Sequence, residues 1–219
     1  MAVENLVSGS CTTLDTLPIQ MLSAGEGASG VLNQVDDWIA ATSSGMTQTG
    51  STYRLCRFPV YAKIKSVVID LGVLDTGAAG AVFDVNVAFS DSLYDGTQTA
   101  FTPNNGLTET TALCIPTTAK TGACTSISSY TAPNKLFGTL TVGNNVAKYN
   151  TELLWNGSLS GWWAAGSDTP LWDFFGFSNS QGYPADPSGY FDLLLYLSTQ
   201  ATTPAAANIR ARVSYVVSG

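Results

Sequence analysis

The sequence predicts an all-β protein: a β-sandwich or barrel with an extended N-terminal arm, long loops and at most one short helix. Three observations predict it. Several short runs alternate apolar and polar side chains, the period of a strand with one buried face. Clusters of Gly, Pro, Asn, Ser and Thr separate these runs and supply turn chemistry. Charged residues make up only 11% of the 219 residues, against about 25% in an average domain. The polar surface therefore falls to Thr, Ser, Asn and Gln, and Thr and the aromatics fit a pleated surface better than a helix. A chain this long buries roughly 70% of the surface its unfolded form exposes, so it needs no metal or disulfide staple to fold.

Residues 1–50 are rich in Ser, Thr, Gly and Ala with scattered apolar side chains, and read as an extended arm docked through Leu14, Leu17, Ile19 and Trp38. Within the arm, Val31 to Ile39 fits a brief strand or a turn of helix. Residues 51–219 form the sandwich domain. Its first strand is Tyr53 to Phe58, closed by Pro59. Ala62 to Leu74 follows, with Val67-Val68-Ile69 apolar on both faces, which requires a strand covered on both sides or a bulge. Ala81 to Phe89 alternates cleanly, and its Gly-rich link to the preceding strand reads as a hairpin. Residues 90–131 read as long loops with one short strand near Ala112 to Ile115. Lys135 to Val142 is a further strand, and Val146 to Trp155 has the spacing of one short helix. Phe191 to Leu197 and Ile209 to Val217 alternate on either side of a Thr/Pro/Ala turn and read as a closing hairpin.

The net charge of −7 argues against nucleic acid and anionic lipid as partners. The basic residues are unevenly placed. Arg54, Arg57, Lys63 and Lys65 lie close together, and Arg210 and Arg212 lie near the C-terminus. Residues two apart on a strand share a face, so Lys63 with Lys65 and Arg210 with Arg212 each form a basic stripe. Such a stripe is either a solvated strand face or a docking surface for an acidic protein. The first residues show no signal-peptide pattern, and no apolar run has the length of a membrane span. Cys11, Cys56, Cys114 and Cys124 lack metal-site spacing, and buried free thiols are expected; Cys114 and Cys124 are spaced to close a loop by a disulfide.

The sequence contains no histidine, which removes Ser-His-Asp and Cys-His chemistry and imidazole metal ligands. No cofactor, metal or catalytic residue is expected. Gly25-Glu26-Gly27-Ala28-Ser29-Gly30 matches a dinucleotide fingerprint by letters, but lacks the flanking strand and helix. Asp91 to Gly96 lacks the ligand spacing of a calcium loop. Asp168 and Asp173 lie among tryptophans, a setting that fits core packing, a sugar platform or a carboxylate pair. Trp162 and Trp163 are adjacent, so on a strand one of them faces away from the core. With Trp155 and Trp172 they form the candidate contact surface, together with Lys63, Lys65, Arg210 and Arg212.

Three passages together resemble virion structural proteins of tailed bacteriophages, particularly capsid decoration (cement) proteins and related head- or tail-associated proteins. They are Ser51 to Ile64; Thr169 to Phe177 with Asp186 to Leu193; and the Ala/Thr-rich turn running into Ile209 to Val217. The resemblance implies a sandwich or jelly roll without enzymatic activity, present in many copies on a particle. It implies docking on the major capsid protein lattice at the capsid exterior, as a homotrimer made in the host cytoplasm. A tail, neck or head-fibre protein, or a carbohydrate-binding module, are the alternatives. Light scattering of the purified chain checks the oligomer: the mass of three chains agrees with a trimer seated on the lattice, and a monomer contradicts it.

Overall fold

The computed structural model describes residues 3–9, 11, 32–59, 61–90, 113–116, 124–126, 137–153, 170 and 190–217. Their strands are β1 (Asn5–Val7), β2 (Leu32–Ala41), β3 (Thr52–Pro59), β4 (Ala62–Leu71), β5 (Ala81–Ser90), β6 (Leu113–Pro116), β7 (Cys124–Ser126), β8 (Thr139–Val142), β9 (Lys148–Glu152), β10 (Tyr190–Thr199) and β11 (Ala207–Val217). One sheet runs β1-β3-β10-β5-β6-β7, with β8 also paired to β5, and the other runs β2-β11-β4-β9. The protein is an all-β sandwich of two sheets. Among the described residues, helical backbone is confined to Gly9 and Cys11 and to a 3-10 turn at Gly45–Thr47.

Alternation decides which side chains meet between the sheets. Tyr53, Leu55, Phe83, Val85, Phe191, Leu193 and Leu195 from one sheet are buried against Ile64, Val67, Ile69, Ile209, Val213 and Tyr215 from the other. Each such side chain contributes roughly 1.5–3 kcal/mol by leaving water. The Phe58 and Tyr215 rings meet across the core at 6.2 Å. Ile64 and Val67 both point inward although they are three positions apart. The reason is a bulge: Ser214 is opposite Ser66 and Tyr215 opposite Ile64, which leaves Lys65 as the extra residue. The bulge precedes the apolar run Val67-Val68-Ile69, which alternates regularly, with Val67 and Ile69 buried and Val68 half-buried on the outer face.

Both expected hairpins are wrong. β4 and β5 lie in different sheets, as do β10 and β11. From β2 to β5, and again from β8 to β11, each strand lies in the opposite sheet from the one before, so these links cross the core. Where a short helix was expected at Val146 to Trp155, residues 148–152 form β9, with Val68 opposite Glu152 and Leu71 opposite Lys148, while Leu154 and Trp155 lie outside the described residues. Pairing with β4 overrides a weak helical period. Val31 to Ile39, left open between strand and helix turn, contributes to β2, which pairs with β11 from Leu32 to Ala41. Trp38 is not an anchor that docks an arm, because it is 61% exposed on this strand.

Four of these links, those after β2, β4, β8 and β10, gather at one end of the sandwich, and Asp75 ties two of them together. Its carboxylate accepts backbone N–H bonds from Gly77 (2.8 Å), Thr202 (2.9 Å) and Thr203 (2.9 Å). Burial alone would raise this carboxyl, but the N–H donors hold it below the ordinary carboxylate value. The link after β8 joins through Asn144 N–H on the Gly77 carbonyl (2.7 Å), and that before β3 through Ala201 N–H on the Met46 carbonyl (2.9 Å). Gly80 and Gly143 sit so close that a Cβ on Gly143 would lie 2.6 Å from the Gly80 Cα. Asp75→Ala leaves three N–H groups without their acceptor and is expected to lower the unfolding free energy by roughly 2–4 kcal/mol. Urea denaturation measures this, and an unchanged midpoint would contradict the role given to Asp75.

Candidate docking face

Burial differs between the two sheets. In β3, β10 and β5 both faces are covered: the side chains pointing away from the core include Arg54, Arg57, Asp84, Asn86, Asp192 and Leu194, all buried. Asp192 accepts from Arg57 Nε (2.6 Å) and Nη2 (2.8 Å), and from Arg54 Nε (3.0 Å) and Nη2. Arginines three apart on a regular strand would face opposite ways. An extra residue at Cys56 returns Arg57 to the side of Arg54, with the register shift falling between Asp192 and Leu193 on the partner strand.

Cys56 takes a φ of 53° there, the left-handed region that costs an L-residue roughly 1–2 kcal/mol. Its N–H donates to Asp37 Oδ2 (3.3 Å) and its Sγ to the Ala211 carbonyl (3.2 Å), and Ser8 Oγ donates to the same carboxylate oxygen. Cys11 is buried beside this cluster. Burial first, then the nearby carboxylates, push both thiols up, so neither is a ready nucleophile. The cluster joins β3 to β2 and β11 inside the protein.

The outer face of β2-β11-β4-β9 is the accessible one. Lys63 and Lys65 on β4, and Arg210 and Arg212 on β11, all lie on it, with Val216 opposite Lys63 and Arg210 opposite Asp70. The structure thus brings the two basic stripes of the sequence onto one surface. Arg210 is 51% exposed yet fixed, with Nε on Asp36 Oδ1 (2.8 Å) and Nη2 on Oδ2 (2.5 Å). Arg212 reaches the same carboxylate at 3.6 Å. The hydrogen bond from Arg210 is the main reason Asp36 titrates below the ordinary carboxylate value.

Sequence reasoning missed three residues of this face: Trp38 and Leu32, 61% and 64% exposed on β2, and Tyr149, 70% exposed on β9. The period-two placement of Trp38 between Asp36 and Ala40 was the available signal. Trp155, Trp162, Trp163 and Trp172 lie outside the described residues, as do Asp168, Asp173 and the segments Gly25–Gly30 and Asp91–Gly96. The register sets Cys114 opposite Ser126 and Cys124 opposite Pro116, a diagonal rather than a directly opposed pair. Among the described residues no group of three His, Cys, Asp or Glu side chains is placed to hold a metal ion.

No protein-family model matches the chain. No curated protein matches it either. Among solved structures, a chain from the capsid of Ralstonia phage GP4 is similar over 98% of both chains, with 14% sequence identity and a TM-score of 0.43.

The buried charge cluster carries a pH dependence. Burial alone would raise the Asp192 carboxyl, but the charges and hydrogen bonds of Arg57 and Arg54 outweigh it and hold the group well below its ordinary value. The folded value therefore lies below the unfolded one of about 3.9. The resulting stabilisation is complete above that value and is lost as the pH falls further toward the folded one. Asp192→Asn should cost roughly 3–5 kcal/mol at pH 7, because it leaves two buried guanidinium groups without their carboxylate. It should also make the acid loss of stability shallower. Denaturant unfolding of both proteins at pH 7 and pH 3 checks this, and an identical acid slope would contradict it.

Proposed function

We propose that this chain is a non-enzymatic virion structural protein that decorates and stabilises a bacteriophage capsid by docking on the major capsid protein lattice. The observation that carries the reading is the strand order. Set side by side, β2-β11-β4-β9 and β3-β10-β5-β8 have the order of an eight-stranded jelly roll, two Greek keys wound so that neighbours in sequence face each other across the core. That architecture recurs in viral capsid and lectin domains and in cupins. The absence of histidine speaks against the cupin branch, whose chemistry depends on imidazole ligands. A fold alone does not assign a function, so the exposed face and the resemblance of residues 51–217 to decoration proteins must bear the rest.

Lys63, Lys65, Lys148, Arg210 and Arg212 share this sheet with four carboxylates, Asp36, Asp37, Asp70 and Glu152, of which Asp37 is buried, on a chain whose net charge is −7. In this reading the end bearing Lys63, Lys65 and Leu32 meets an acidic patch on the lattice. Trp155, Trp162, Trp163 and Trp172 add aromatic anchors. Three chains would seat together at the exterior of the shell, and weak contacts repeated over a closed lattice would sum through avidity.

The test is rebinding of the purified chain to virions stripped of it, read by co-sedimentation. Wild type should be retained in many copies per particle. Lys63→Glu with Lys65→Glu should lose about tenfold in affinity or more, equivalent to about 1.4 kcal/mol. Failure of wild type to sediment with the shell, or retention of one copy per particle, contradicts the proposal.

A further inference from the structure

We propose that the exposed face carries a second site, a shallow row across four strands that binds a neutral oligosaccharide. The row begins at Trp38 on β2, passes to Arg210 on β11, directly opposite it, and then to Asp70 on β4, opposite Arg210. It ends at Tyr149 on β9. The register shift between Ile69 and Leu71 sets Tyr149 and Asn150 together against Asp70, and Tyr149 is 70% exposed there. Adjacent strands are about 4.8 Å apart, so the two aromatic ends are separated by about 14 Å, the span of a short sugar chain.

The chemistry of the row matches a pyranose chain better than a protein surface. Two aromatic rings, 61% and 70% exposed, offer flat apolar faces to the C–H faces of sugar rings. Between them lie an arginine and two carboxylates whose donors and acceptors are already oriented. Arg210 is locked on Asp36 by two hydrogen bonds, and Asp70 Oδ1 accepts the Asn150 N–H at 2.5 Å. Fixed polar groups lose little freedom when they bind vicinal hydroxyls. A stable protein interface needs about 800 Å² on each side with an apolar centre. This row is one residue wide and bordered by Arg212 and Asn208, so it lacks such a centre.

Charge selects the class of sugar. Arg210 and Arg212 balance Asp36 and Asp70, leaving the row neutral, and a chain of net charge −7 repels an acidic glycan. The site lies toward the linked-loop end of the sheet, several residues along β11 from Val216, which faces Lys63. It therefore stands apart from the basic end assigned to the lattice, and the two can fail separately.

The experiment is isothermal titration of the full chain with neutral hexaoses built from glucose, mannose, galactose or N-acetylglucosamine. At least one should bind with a dissociation constant in the millimolar range or below. Trp38→Ala and Tyr149→Ala, both at exposed positions, should each weaken it by about tenfold, with circular dichroism unchanged. Lys63→Glu with Lys65→Glu should leave sugar binding intact while impairing attachment to the particle. No binding by any hexaose, or binding that survives both aromatic substitutions, overturns the site.

Discussion

The Asp192 carboxylate lies between two guanidinium groups and out of reach of water, and the arrangement of the first sheet depends on that contact. A lone buried charge would cost several kcal/mol, so Arg54, Arg57 and Asp192 are tolerable only together. Bringing both arginines to one side requires the bulge at Cys56, and the bulge in turn requires acceptors for its displaced backbone. Asp37 supplies one from the opposing sheet, and Ser8 links the N-terminal segment to the same carboxylate. Charge, bulge and N-terminal segment are thus one problem with one solution.

That solution divides the molecule. The first sheet is covered on both faces, so its polar side chains are structural. The second sheet keeps one face in water, and Lys63, Lys65, Arg210, Trp38 and Tyr149 lie on it. Four links between the sheets meet at one end, where Asp75 and the close approach of Gly80 to Gly143 hold them. The accessible face is therefore presented on ordered strands, which suits either of the binding roles assigned to it.

Strand identity was legible in the sequence because alternation is a local property: Tyr53 to Phe58, Ala81 to Phe89 and Ile209 to Val217 all appear where the period places them. Sheet membership was not. A Gly-rich link such as residues 72–80 suits a hairpin and a crossing between sheets equally well, and the choice is made by partners far away in sequence. Asp192 lies 138 residues from Arg54, so nothing near Arg54 and Arg57 reveals that they are buried while Lys63 and Lys65 are not. The basic stripes were legible from their i, i+2 spacing. Trp38 was misassigned because an isolated aromatic in a Ser/Gly-rich stretch looks like an anchor, until β11 beside it fixes which way the strand faces.

In the proposed reading, a two-sheet sandwich with one exposed polar face works by being held in place on a larger assembly. Cryo-electron microscopy of a virion that contains this chain tests that account most directly. The account predicts two-layered sandwich density repeated over the outside of the shell with its symmetry, the Lys63 and Lys65 end turned toward the lattice. Density confined to the tail or to a single vertex, or a shell whose exterior lacks the sandwich, would contradict it.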